Sequence, residues 1–159
     1  MNLKKYTWII VLLAGILCIL VISIPTLFYI SESDPQYNRY YWLIGIYLDG
    51  EGTIDLLDDA PMIMNIGILG LIITLTIGIL LIISSSLSKF TEINIPGTGI
   101  FWLIFGILLF TLPFLLQTLM GLIGGGEGTI FGLSVNLFGP ITYSAGLLTI
   151  IAGLEELRT

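Results

Sequence analysis

The chain has no histidine, and Cys18 is its single cysteine among 159 residues. Lack of histidine removes imidazole acid–base chemistry and the commonest metal ligand, and a lone cysteine cannot form an intrachain disulfide. Charge is scarce too, at 10% of residues against roughly a quarter in an ordinary soluble domain. Lys and Arg number 5 against 11 acids, so the basic footprint of a nucleic-acid partner is missing. The long apolar runs carry no residue that is ionisable at neutral pH, which argues against proton relays, voltage sensors and ion-coupled transporters. Cys18 lies inside one such run, away from any group that would make it a thiolate, and reads as a small apolar packer. The Ser84-Ser85-Ser86 run has no base beside it in sequence to activate a nucleophile. These absences lead us to expect a protein that is not an enzyme and holds no cofactor.

What is present is hydrophobic: 56% of residues, with a mean hydropathy of +1.06. Apolar runs beyond about 20 residues read as membrane-spanning helices, because lipid offers the backbone no outside partners. Four can be drawn in a single domain over 1–159, at about 7–30, 61–86, 98–121 and 140–154. Pro61, Pro96 and Pro140, with Asp58-Asp59 or Thr98 nearby, punctuate the last three starts. The first run follows Lys4 and Lys5, exceeds a signal-peptide core and lacks an A-x-A-like site, so we expect it to stay as a span. The fold class expected is therefore all-α: a four-span antiparallel transmembrane helix bundle with a small outer cap.

Orientation follows from the cations. Lys4, Lys5, Lys89 and Arg158 fall on one side of this arrangement and Arg39 on the other. The positive-inside rule then puts both termini and the 84–95 link in the cytoplasm, with loops 31–60 and 124–139 outside. The outer loops carry Glu32, Asp34, Asp49, Glu51, Asp55, Asp58, Asp59 and Glu127. An Ile-rich, cysteine-poor chain with an acidic exterior suits a prokaryotic plasma membrane.

The first outer loop has two readings. Tyr37, Tyr40, Tyr41, Ile44 and Tyr47 fit one face of an interfacial helix. Alternatively YYWLIGIYL forms a strand, DGEG the turn and TIDLL the return of a β-hairpin, since Asp-Gly is strong turn chemistry. We prefer the hairpin. Its turn begins the pentamer Gly50-Glu51-Gly52-Thr53-Ile54, which recurs as Gly126-Glu127-Gly128-Thr129-Ile130. Small-residue stripes recur at a similar offset, as Gly70/Thr74/Gly78 and Ala145/Thr149/Gly153. An internal duplication of a two-helix hairpin and a chance recurrence of turn chemistry both account for this.

Three candidate sites emerge. Asp49, Glu51 and Asp55, joined by Glu127 if the loops meet, have the alternation of oxygen ligands for calcium. Position 12 of an EF-hand register is Ala60, so solvated turn acids are the preferred reading. The two stripes are small-xxx-small surfaces for close helix packing, within the bundle or against a partner. Asn65, Gln117, Tyr143 and Ser144 fall in the outer half of the spans, where they form a polar cup or bond neighbouring helices.

Four spans, a longer first outer loop holding Trp42 and a shorter second one resemble the layout of claudin-like and other tetraspan proteins. The W-x-G-L-W motif and cysteine pair of claudins are absent, as is the cysteine-rich second loop of tetraspanins, so the resemblance ends at layout. The function expected is a small non-catalytic accessory or scaffold subunit whose partners are membrane lipids and other membrane subunits. The alternative is an oligomeric pore or a tetraspan protein that binds a lipid or small ligand.

Overall fold

A computed structural model describes residues 3–24, 27–29, 39–42, 46–56, 61–90, 97–123, 135–136 and 138–158. It is mostly helical: α1 is Thr7–Leu20, α2 Pro61–Phe90, α3 Thr98–Ile123 and α4 Phe138–Leu157. A 3-10 turn, Leu3–Tyr6, leads into α1. Five short strands join them: β1 Leu27–Tyr29, β2 Arg39–Tyr41, β3 Ile46–Asp49, β4 Ile54–Leu56 and β5 Val135–Asn136.

The first helix is shorter than the apolar run suggests. A span to residue 30 was expected, but α1 stops at Leu20, and Leu27–Tyr29 is a strand. Pro25 has no amide to give an advancing helix and disfavours helical backbone at the residue before it. The last turn tightens, with Ile22 N–H donating to Ile19 O (3.2 Å) and Ser23 N–H to Leu20 O (3.0 Å). Hydrophobicity marks the run but not its end, and the helix has already tightened at Ile22 and Ser23, ahead of the proline.

The other boundaries follow their punctuation. Pro61 opens α2, where no amide is needed. Gly97 takes φ +95° and its carbonyl accepts from Phe101 N–H (2.9 Å), which closes the first turn of α3. Pro140 lies in the first turn of α4, and its missing amide again breaks no bond.

Two helices, α2 and α3, are long and apolar enough to cross a membrane, over Asn65–Lys89 and Thr98–Leu116. The 14 residues of α1 fall short in length. In α4, Thr142, Tyr143 and Ser144 at one end and Glu155 and Glu156 at the other dilute the hydrophobicity.

Small and large apolar residues together fill the inside, and further large ones face out. One core cluster joins Val11, Ala14 and Cys18 of α1 with Leu81, Trp102 and Ala152 of the other helices. The second, toward the sheet, gathers Val21, Ile66, Leu71, Leu112 and Leu116. Leu13, Ile72, Ile104 and Leu147 are each about half exposed on the outer surface.

The strands form one antiparallel sheet in the order β4-β3-β2-β1-β5. The expected hairpin is present as β3 and β4, paired Ile46↔Leu56 through Leu48↔Ile54. YYWLIGIYL is not one strand, however. Tyr41 pairs with Tyr47 and Tyr40 with Leu48, so the segment folds back on itself as β2 and β3. That pairing also replaces the helical alternative for Tyr40, Tyr41 and Tyr47. Strand β1, inside the expected first span, pairs with β2 of the first loop on one side and β5 of the second on the other, so the two loops share one sheet.

Candidate functional site

The seam between α3 and α4 is built from glycine on both sides. A Cβ on Gly106 would stand 3.0 Å from Gly146 O and 2.8 Å from Ile150 N. One on Gly153 would stand 2.8 Å from both Gly99 O and Leu103 N. Each helix places its two glycines seven residues apart, so both contacts fall on one face. The α1–α2 pair touches more narrowly, where a Cβ on Gly15 would meet Gly78 O at 2.8 Å. Such approaches bring backbones into dispersion contact that any side chain would prevent.

The six residues of the two stripes are all buried. They serve different neighbours. Gly78 faces Gly15 and Cys18 of α1, Gly70 faces the Leu116 side chain of α3, and Gly153 faces Gly99 of α3. Thr74 and Thr149 turn their hydroxyls back to Gly70 O (2.8 Å) and Ala145 O (2.7 Å). Sequence reasoning missed Gly15, Gly99, Gly106 and Gly146; the matched seven-residue spacing on two consecutive helices was the available signal.

Self-satisfaction extends to other helix hydroxyls. Thr76, Ser85, Ser86, Thr111, Thr118 and Thr142 each donate to a carbonyl three or four residues back. This pattern satisfies the hydroxyl without needing another helix. The carbonyl deprived of its donor by Pro113 is Leu109 O, whereas Thr111 bonds Ile107 O and Leu108 O.

The outer polar residues differ in exposure. Asn65 is exposed on α2 and Ser144 on α4, while Tyr143 is half-buried with its ring 5.2 Å from that of Phe110. The Gln117 side chain lies outside the described residues, as do Glu127 and the second GEGTI copy.

At the first copy, chemistry and geometry agree on a turn. Gly52 N–H donates to Asp49 O (3.1 Å) and Asp49 N–H to Thr53 O (3.0 Å), with Gly52 at φ +85°. This is a three-residue hairpin loop that needs a left-handed residue at its third position, hence glycine. The Asp49 carboxylate faces into the loop. It accepts from Thr53 N–H (2.8 Å), Glu51 N–H (3.1 Å) and the Thr53 hydroxyl. Among the described residues no group of three or more His, Cys, Asp or Glu could hold a metal ion.

Those bonds, the Thr53 hydroxyl first, lower the Asp49 pKa below its ordinary value. A lowered folded pKa means that the contribution is complete above the unfolded value of about 3.9 and is lost as pH falls through the folded one. We therefore expect the protection factors of the Thr53 and Glu51 amides to hold at neutral pH and fall below about pH 4. Asp49→Ala should remove that pH dependence in hydrogen exchange.

The opposite end of the bundle holds four of the five cations, together with Glu155 and Glu156 of α4. Lys4 and Lys5 precede α1, Lys89 ends α2 and Arg158 follows α4, whereas Arg39 sits in the sheet. The Thr7 hydroxyl lies 3.0 Å from Lys4 O and 3.2 Å from Glu156 Oε2, which links the start of α1 to the end of α4. Lys89 Nζ stands 4.9 Å from the Trp8 ring centroid, a cation–π contact between α2 and α1. Trp102, fully buried, donates its indole N–H to Ser84 Oγ (3.0 Å) and ties α3 to α2. The described residues thus supply packing seams, a closed turn and a charged end. Comparison with protein-family models, with curated proteins and with solved structures returns no match for the chain.

Proposed function

We propose that the chain is a four-span integral membrane protein and a small, non-catalytic accessory or scaffold subunit of a larger membrane assembly. The observation that carries this reading is the outer surface of the bundle. All four helices, the short α1 and the mixed α4 included, expose large apolar side chains: Leu13 (51%), Ile72 (55%), Ile104 (50%) and Leu147 (48%). Such a surface suits lipid tails and partner helices. The cation-bearing end supports the orientation: it lies in the cytoplasm with both termini, and the sheet lies outside. A prokaryotic plasma membrane is the setting inferred from composition.

The helix interior supports a non-catalytic role. Its hydroxyls are spent on their own backbones, and its centre is filled by Leu81, Trp102 and Leu109. A pore or ligand-binding protein would gain support from Asn65, Gln117 and Tyr143 meeting in one cavity. Asn65 on the exposed side of α2 and Tyr143 against Phe110 give it none.

Native electrophoresis after extraction in mild detergent, with mass spectrometry of co-migrating chains, tests the proposal. A large band with fixed partners is expected. A monomer or homo-oligomer free of other chains would overturn the subunit reading.

A further inference from the structure

The sheet has two unlike faces. Tyr40, Leu48 and Ile54 stand opposite one another across β2, β3 and β4, so they share a face, and Ile46 joins them two residues from Leu48. Trp42, whose N–H donates to Ile46 O (2.9 Å), continues that face. Tyr47 pairs with Asp55 on the other face, which also takes Asp49. One side is therefore apolar and aromatic, while the other takes all three charged strand positions, Arg39 opposite Asp49 and Asp55 beyond Tyr47. None of these apolar residues belongs to either core cluster of the bundle, and Ile54 is 72% exposed.

Depth supplies the second observation. The 14 residues of α1 rise about 21 Å, against a hydrocarbon thickness of about 30 Å. The helix begins at the cation-bearing end, where Trp8 meets Lys89, and Gly15 stands beside Gly78 of antiparallel α2. In that register α2 continues roughly 18 Å beyond the end of α1. The chain leaves α1 about 9 Å short of the far hydrocarbon boundary and enters β1 within a few residues. Ile19, Leu20 and Ile22, exposed at that end, carry the apolar exterior of the bundle up to the sheet.

We propose that the sheet lies on the outer leaflet, with its Tyr40–Leu48–Ile54 face in the boundary between headgroups and acyl chains and its Asp49–Asp55 face in water. Tyr and Trp suit that layer, because an apolar ring and a polar atom are satisfied together. An amphipathic element with its charges on one face settles there for the same reason as an interfacial helix. Hydrogen-bonding groups at the sheet edge meet water and headgroups in this position, which deeper insertion would deny them. The cap is then a membrane-bound plate.

This inference rests on the four-span reading, and the test separates the two. Nitroxide labels are placed by Ile54→Cys, Leu48→Cys, Asp55→Cys, Glu51→Cys and Ile104→Cys in the full chain carrying Cys18→Ala, in phosphatidylcholine–phosphatidylglycerol vesicles. Relaxation by oxygen reports lipid, and relaxation by a water-soluble nickel chelate reports water. The expected result is an oxygen-to-nickel ratio several-fold higher at 54 and 48 than at 55 and 51, with 104 higher still. Ratios at 54 and 48 equal to that at 51, with 104 still in lipid, would overturn the plate and leave the spans intact. Shielding of 54 and 48 from both reagents would also overturn it, in favour of a protein partner on that face. A water-like ratio at 104 would overturn the membrane reading itself and the plate with it.

Discussion

Replacing Trp102 by alanine is expected to cost about 3 kcal/mol, the lower end of the range for truncating a buried tryptophan. Trp102 is fully buried between α3 and its neighbours and gives its indole N–H to Ser84 Oγ at 3.0 Å. Two losses combine. The vacated volume leaves its lining, Leu81 and Leu109 among the cluster, without dispersion partners. The tie between α3 and α2 goes as well. The lower end applies because lipid or detergent tails offer the unfolded helix nearly as apolar a surrounding as the core does. Trp102→Phe keeps most of the volume and should cost about 1 kcal/mol for the lost hydrogen bond. Ser84→Ala should cost about 1–3 kcal/mol, because it buries an unsatisfied N–H. Denaturant unfolding in mixed micelles, followed by circular dichroism, gives all three values. Equal stability of W102A and wild type would show that this contact carries no weight.

Gly146→Ala should destabilise by about 3 kcal/mol, the upper end for overpacking a close-packed site. The added methyl would stand 2.7 Å from Phe110 N and 2.8 Å from Gly106 O. Both obstacles are backbone, so relief requires α3 and α4 to separate along the seam. Gly70→Ala provides the contrast. Its methyl meets Leu116 Cδ1, the far end of a side chain that can change rotamer, so a cost of about 1 kcal/mol is expected. If Gly70→Ala cost as much as Gly146→Ala, the distinction between backbone and side-chain obstacles would fail. Measuring both by the same unfolding titration removes differences in detergent.

The features legible in sequence are those set by one local cause. The first helical residues of α2 and α3 fall at Pro61 and Thr98, where proline and its companions place them. The turn at DGEG was legible because Gly52 is the residue type its left-handed backbone requires. What failed depended on two causes in competition. The run from Thr7 is apolar throughout, so hydropathy extended a helix through Pro25 that backbone chemistry stops at Leu20. YYWLIGIYL reads as a single strand by propensity, yet the pairing of Tyr41 with Tyr47 breaks it in two. Strand β5 was invisible, because two residues carry no pattern and only pairing with β1 defines them. The stripes were read as faces on single helices, whereas their partners Gly15, Gly99 and Leu116 belong to other helices. A seam is a property of pairs, and one helix shows half of it.

The glycine contacts also set how the bundle can move. Helices α3 and α4 are pinned at two points, Gly99 against Gly153 and Gly106 against Gly146. Two pins prevent both sliding and pivoting, so this hairpin behaves as a strut. Helices α1 and α2 share one glycine contact, Gly15 with Gly78, and are joined a second time only through side chains, where Lys89 meets Trp8. Backbone meets backbone twice between α3 and α4 but once between α1 and α2, so the give in the bundle lies on the α1–α2 side, away from the strut.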